Sequence, residues 1–304
     1  MSDVATATLR AAAEREAAAL PPLLLRAEHL ANTVLLGTHG RRRAGLGDEF
    51  WQYRPYQQGD SRRMIDWRRS ARGDQQFVRQ REWQIAQTAT LWVDVAASMR
   101  FSSQGALPQK GDRAQLLALA LAALLLRGGE PVGLAGVHLP PRRGRAQLLR
   151  LAQHFAGGSA VPATADAGLT DYGLPEARAM LPRANAVFVA DFLGDTAPLE
   201  AALAKAAERG VRGVLFQVLD PAEEAFPYQG RVTFESVAGA LRHETRQAGG
   251  LRDRYLQRLA ERKDHLSHLA RAAGWQYHCH HTDQPAQAAL IWIWQALGAD
   301  QGRG

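Results

Sequence analysis

Cysteine is nearly missing from this chain. Cys279 is the single one among 304 residues, so no internal disulfide can form and a reducing compartment suits the sequence. Lysine is almost as scarce: three of the 37 basic residues are lysine (Lys110, Lys205 and Lys263), and arginine supplies the rest beside abundant alanine. That bias fits a GC-rich coding sequence. The formal charge of +7 therefore does not by itself make a nucleic-acid binder, because no aromatic stacking motif accompanies the arginines. At the N-terminus Asp3 and Glu14 sit among alanines with no basic start before an apolar run, which is not the pattern of a secretory signal. The most apolar stretch, residues 114–126, is too short to span a bilayer and reads as a buried helix. The expected address is the cytoplasm. Neither a Gly-x-x-x-x-Gly-Lys-Ser/Thr loop nor a Gly-x-Ser-x-Gly elbow occurs, so the signatures of a phosphate cradle and of a serine hydrolase are both wanting.

A chain of this length can bury a substantial core as one domain with an appendage. Residues 1–36 read as an N-terminal helical segment, broken at Pro21-Pro22. Between 37 and 87 glycines and arginines separate short β-like runs, which predicts an arginine-rich extended arm. From 88 to 299 strands and helices alternate. Strands are expected at 90–95, 131–138, 186–190, 213–219 and 275–278. Helices are expected at 112–127, 147–155, 172–180, 198–209, 251–273 and 285–297, with Asp112 as N-cap and Gly128-Gly129 as stop of the first. A hairpin insertion falls near 228–247 with Gly239 at its turn, and 300–304 reads as a disordered tail. This alternation predicts an α/β fold, a doubly wound and mostly parallel sheet of Rossmann type. In such sheets sites form beyond the carboxyl ends of strands, where successive helices leave for opposite faces.

Under that rule Asp94 and Ser98 follow the first strand, Asp191 ends the strand 186–190, and Thr170-Asp171 lie in a loop between them. Singly, each has an ordinary role as a cap or turn residue. As a set they offer the oxygen ligands that suit Mg²⁺. Here the chain resembles the von Willebrand factor A domain, whose metal-ion-dependent adhesion site carries Asp-x-Ser-x-Ser, then a threonine, then an aspartate. Asp94, Ser98, Thr170 and Asp191 match, while Ala96 stands where the first serine belongs. The resemblance implies a degenerate Mg²⁺ site whose open position accepts a partner carboxylate.

Upstream lies a dense block: Gly45-x-Gly47-x-Glu49-Phe50, Arg54-x-Tyr56, Gly59-Asp60, Arg62, Ile65-Asp66-Trp67 and Ser70-Ala71-Arg72. Together with Ala190-Asp191-Phe192-Leu193 it resembles the bacterial family called domain of unknown function fifty-eight. That resemblance implies work beside a MoxR-type AAA+ ATPase, as adaptor or client, with Glu49, Arg54, Tyr56, Asp60, Arg62, Asp66, Trp67 and Arg72 as partner-binding residues. The same residues also suit an internal salt-bridge and cap network, with Trp67 and Tyr56 as packing anchors.

His278-Cys279-His280-His281 carries metal-ligand residue types, but strand alternation turns His278 and His280 away from Cys279 and His281. No second cluster stands at ligand spacing, so strand-end histidines are expected rather than zinc. Nothing identifies a base for Cys279 as a nucleophile. The expected function is a non-enzymatic adaptor. The alternatives are a metal-dependent hydrolase using the same carboxylates, or an arginine-rich nucleic-acid binder whose affinity falls steeply with salt.

Overall fold

Where apolar residues run unbroken for five or six positions, both faces of a strand must be covered, and a parallel sheet with helices on each side meets that demand. Ala89–Val93 and Asn185–Ala190 are buried along their whole length, and Arg212–Leu219 from its second residue onward. The computed structural model describes residues 21–38, 50–56, 65–71, 75–81, 87–137, 139–158, 170–175, 180–236 and 242–298. The segment before Pro21, Gly239 and the tail at 300–304 lie outside the described residues. Two units form: Thr38–Ala86, and Met1–Gly37 together with Gln87–Gly304.

In the larger unit helix α1 (Pro22–Thr38) begins at a proline, where the missing N–H costs no helical bond. Leu24, Ala27, Ala31 and Val34 place it in the main core rather than in a separate segment.

The smaller unit is a two-stranded antiparallel ladder of β1 (Phe50–Pro55) and β2 (Phe77–Arg81), with the short helix α2 (Trp67–Ser70) between them in sequence. Asp66 caps α2, its Oδ1 accepting the Arg69 N–H at 3.0 Å. The Ser70 hydroxyl donates to the Asp66 carbonyl at 2.8 Å and accepts the Phe77 N–H at 3.0 Å, which ties the helix to the start of β2.

Six strands build the central sheet: β3 (Ala89–Val93), β4 (Val132–Leu134), β5 (Leu139–Arg142), β6 (Asn185–Ala190), β7 (Arg212–Leu219) and β10 (Gln276–His281). Their order is β10-β7-β6-β3-β4-β5, and only the β4–β5 pair is antiparallel. Counted along this sheet alone, that is the 3-2-1-4-5-6 order of a doubly wound fold, as the alternating pattern predicts. Strand alternation divides the interior in two. Leu91, Val93, Val187, Val189, Val214, Phe216 and Val218 meet α1 and the helices α3 (Lys110–Arg127), α4 (Arg145–Gly158) and α8 (Ala286–Gly298). Trp92, Ala186, Phe188, Ala190 and Leu215 face the opposite core, with α5 (Ala197–Glu208) and α7 (Arg252–Ala272). The short α6 (Pro221–Ala225) follows β7, and β8 (Val232–Glu235) pairs with β9 (Arg242–Thr245) as the expected hairpin.

Several expectations need correction. Residues 131–138 are not one strand: β4 stops at Leu134, and the chain reverses through Gly136, whose φ of +79° favours glycine, into β5. Helix α3 starts at Lys110 with Gln109 at the cap position, which leaves Asp112 inside the first turn. Residues 172–175 are not helical, because the Gly173 N–H is committed to Asp94; positions 176–179 lie outside the described residues. The last strand runs to His281 instead of ending at His278. Gly128-Gly129 does stop α3, as the N–H groups of Gly129 and Glu130 close on the carbonyls of Leu126 and Leu125.

This helix end also buries a charge. One carboxylate oxygen of Glu130 is buried without a hydrogen-bond partner among the described residues, and burial pushes its carboxyl up to about 7. The unfolded chain releases this proton near pH 4.5, whereas the folded chain keeps it until about 7. Stability therefore falls as pH rises through that window. Denaturant unfolding of Glu130→Gln should show this slope removed: equal to the wild type at pH 4 and more stable by about 1–2 kcal/mol at pH 8, a figure discounted for partial exposure.

Candidate functional site

The strand order reverses between β3 and β6, and the carboxyl ends of these strands hold the two aspartates singled out in the sequence. Asp94 is 3% exposed and Asp191 1%. The Asp94 N–H donates to the Val189 carbonyl at 2.9 Å, so the two strand ends are stitched together where the site begins.

Asp94 Oδ1 accepts the Ala96 N–H at 2.8 Å, and Oδ2 accepts the Gly173 N–H at 3.1 Å. The loop that carries Thr170 is bound to the same place: the Ala97 and Ser98 N–H groups donate to the carbonyls of Thr170 (3.1 Å) and Asp171 (3.0 Å). Thr170 itself is exposed and meets the loop through its carbonyl. A Cβ at position 173 would lie 2.3 Å from Asp94 Oδ1, so only glycine permits this approach. Burial raises the Asp94 pKa, the two N–H donors oppose that rise, and the Asp191 charge adds to it.

Asp191 is held differently. Its Oδ1 accepts the Leu193 N–H at 3.2 Å, and its Oδ2 lies 2.9 Å from the ammonium of Lys110. Lys110 opens α3, is 1% exposed, and reaches Glu223 Oε1 at 2.6 Å with a second of its three N–H donors. Burial works against its charge, but Asp191 and Glu223 outweigh burial and hold the Lys110 pKa above the ordinary lysine value. Glu223 is in turn fixed by a capping box on α6: its Oε2 accepts the Asp220 N–H at 2.8 Å while Asp220 Oδ1 accepts the Ala222 N–H at 2.8 Å. Asp220 Oδ2 accepts the Ser103 N–H at 2.9 Å, which returns the network to the loop after β3.

Asp191 and Glu223 therefore share one buried ammonium with Asp94 close by, and the cluster holds more acidic than basic side chains. The Ser98 hydroxyl is buried and has no hydrogen-bond partner among the described residues. Hard oxygen donors, an unpartnered hydroxyl and surplus acidic side chains fit Mg²⁺ at the Asp94–Ser98 side, with Asp191 shared with Lys110. At position 96 the backbone N–H serves Asp94 where the pattern has a serine. Beside the aspartates lies a cleft of about 20 Å³ lined by Asp94, Tyr172, Asp191 and Thr196. That is room for one water or a small ion.

Three apolar or aromatic side chains beside this polar centre are exposed to solvent. Val95 is 53% exposed and Leu174 59%, and Tyr172 is partly exposed between the bound loops. Of the expected partner residues in the arm, Asp66 is the cap of α2, and Tyr56 is partly buried with its N–H on the Gln76 carbonyl at 2.8 Å. Trp67 is 60% exposed. Glu49, Asp60, Arg62, Arg72 and the side chain of Arg54 lie outside the described residues.

The histidine cluster divides as alternation requires. His278 stacks on Trp292 with centroids 4.5 Å apart, and His280 is buried beside Phe216, its pKa lowered to about 3 by burial and then by Arg113. Burial pushes the Cys279 thiol up to about 11, which leaves it a poor nucleophile. The residue that sequence reasoning missed is Lys110. The available signal was a rare lysine set directly before a long apolar helix.

Residues 52–265 match the family described as "Protein of unknown function DUF58". Uncharacterised proteins of Mycobacterium tuberculosis and Mycobacterium bovis are 30% identical over 268 residues, covering 85% of this chain and 82% of theirs. Among solved structures, an aerotolerance-related membrane protein from Bacteroides fragilis is 16% identical with a TM-score of 0.42. The conserved hypothetical protein BatB from Bacteroides thetaiotaomicron is 17% identical with a TM-score of 0.38; each match covers 70% of this chain and 98% of the other.

Removing the Lys110 ammonium leaves two buried carboxylates facing each other uncompensated. Lys110→Met should lower the unfolding free energy by about 3–5 kcal/mol in urea titrations. The double variant Lys110→Met/Asp191→Asn should be less destabilised than the sum of the single changes, which is the signature of direct coupling.

Proposed function

The chain belongs to the family of proteins of unknown function DUF58, and from that membership we propose that it is a non-enzymatic interaction protein. In this reading it works with a MoxR-type AAA+ ATPase in the cytoplasm, in chaperone-like assembly or maturation of other proteins. One observation carries the proposal: the acidic residues at the switch point are each engaged from within, by Lys110 and by backbone N–H groups, beside a narrow cleft of about 20 Å³. A hydrolase needs a reactive group and a place to put the substrate. Binding surfaces expose apolar and aromatic side chains that a partner can cover, and Val95, Tyr172 and Leu174 are exposed beside this polar centre.

The strand order and the antiparallel edge strand support a von Willebrand factor A-like module, in which these loops form the contact surface. Asp94, Ser98 and Asp191 would hold Mg²⁺, with Thr170 at the rim, and the bound ion would supply an open coordination position to a partner carboxylate. Lys110 keeps Asp191 oriented, and the Gly173 and Ala96 N–H groups keep Asp94 in place, so the face is preorganised with or without the ion. Trp67, exposed on α2 of the smaller unit, supplies a separate aromatic contact of the type enriched in binding hot spots.

Leu174→Asp and Trp67→Ala alter exposed side chains and should change stability by less than about 0.5 kcal/mol. Full-length tagged protein, incubated with host extract, ATP and Mg²⁺, should capture an AAA+ ATPase that mass spectrometry identifies. Leu174→Asp should reduce that capture at least ten-fold, and Trp67→Ala several-fold. Capture undiminished by both variants, or no AAA+ ATPase captured by the wild type, would overturn the proposal.

A further inference from the structure

Adjacent glutamates on α6 serve different neighbours. Glu223 turns to Lys110, whereas Glu224 turns to the edge strand β10, where His281 Nε2 lies 3.0 Å from its Oε2. Cys279 and His281, two residues apart on β10, share one face of that strand. The thiol sulfur, an imidazole nitrogen and a Glu224 carboxylate oxygen all lie within 4.8 Å of one another. The four consecutive residues His278 to His281 thus split into two pairs. One pair is packed on Phe216 and Trp292, and the other is completed from a neighbouring element by a third ligand type.

We propose that Glu224, Cys279 and His281 form a binding site for a borderline-soft divalent metal, with Zn²⁺ as the chemical match. The donor set is one thiolate, one imidazole and one carboxylate, each a normal zinc ligand. Tetrahedral Zn²⁺ with bonds of about 2.0–2.3 Å holds its ligand atoms roughly 3.3–3.8 Å apart, so the three side chains need close by only about 1 Å. All three are partly buried, which gives the ion an entry path, and three protein ligands leave the fourth position to water. Hard cations such as Mg²⁺ are disfavoured by the thiolate, which separates this site from the oxygen-lined crevice at Asp94.

Among the described residues, the Lys263 ammonium pairs with Glu224 and is a cation that a metal must displace. Its side chain is 22% exposed on α7, so it can swing into solvent while the ion takes over its charge. Metal binding would cross-link β10 to α6, whose capping box already fixes Glu223 in the Lys110 network.

The test uses the metal-free full-length protein titrated with Co²⁺, followed by competition with Zn²⁺. About one equivalent of Co²⁺ should produce a sulfur-to-cobalt charge-transfer band and the visible absorption of four-coordinate cobalt, and Zn²⁺ should bleach both. Cys279→Ser should lose the charge-transfer band. Glu224→Gln should keep that band and bind Co²⁺ at least ten-fold more weakly, with circular dichroism melts showing that both variants fold. Absence of the band in the wild type at stoichiometric Co²⁺, or affinity unchanged in both Glu224→Gln and His281→Gln, would overturn the assignment.

Discussion

An ammonium with 1% of its surface exposed is the constraint around which the top of this molecule is arranged. A charge taken so far from water persists only if carboxylates replace its solvent, and Lys110 has two, from Asp191 and Glu223. Each of those is held in turn: Asp191 by the Leu193 N–H, Glu223 by the cap of α6. Three strand ends, those of β3, β6 and β7, are thereby locked in one geometry before any partner arrives. The surplus of acidic side chains then defines what the site accepts, since a further carboxylate is repelled unless a cation comes with it.

The same arrangement fixes how the acidic residues of the crevice are held. Carboxylates act in catalysis when their protonation states are poised and a reacting group lies within reach. Here Asp94 is engaged by two backbone N–H groups and Asp191 by a lysine. A surface that is already ordered loses little entropy when it is covered.

The sheet was legible in the sequence because its strands are continuous apolar runs bounded by turn residues, and their alternation with helices leaves few topologies open. Asp94 and Asp191 were legible for the same reason, as residues that end strands on either side of the switch point. Lys110 was not, because its partners stand 81 and 113 positions away, and a lysine at a helix start otherwise reads as a solvated charge. Glu224 was hidden similarly. Alternation separates Cys279 and His281 from their neighbours, but no local pattern announces that a carboxylate 57 positions earlier faces His281. The non-helical run at 172–175 escaped because its conformation is set by a bond to Asp94 rather than by its own residues.

One edge of the sheet has a meaning for the behaviour of the protein in a crowded cell. An open strand edge is a template on which other chains can add themselves. At this edge stands β5, four residues long, of which Pro140 and Pro141 have no N–H to offer, with Arg142 ending the strand and Arg143 just beyond. A newcomer would find half the donors gone and like charge waiting. Runaway addition of further strands is thus blocked at β5, and the exposed apolar side chains Val95 and Leu174 lie outside that polymerisable border.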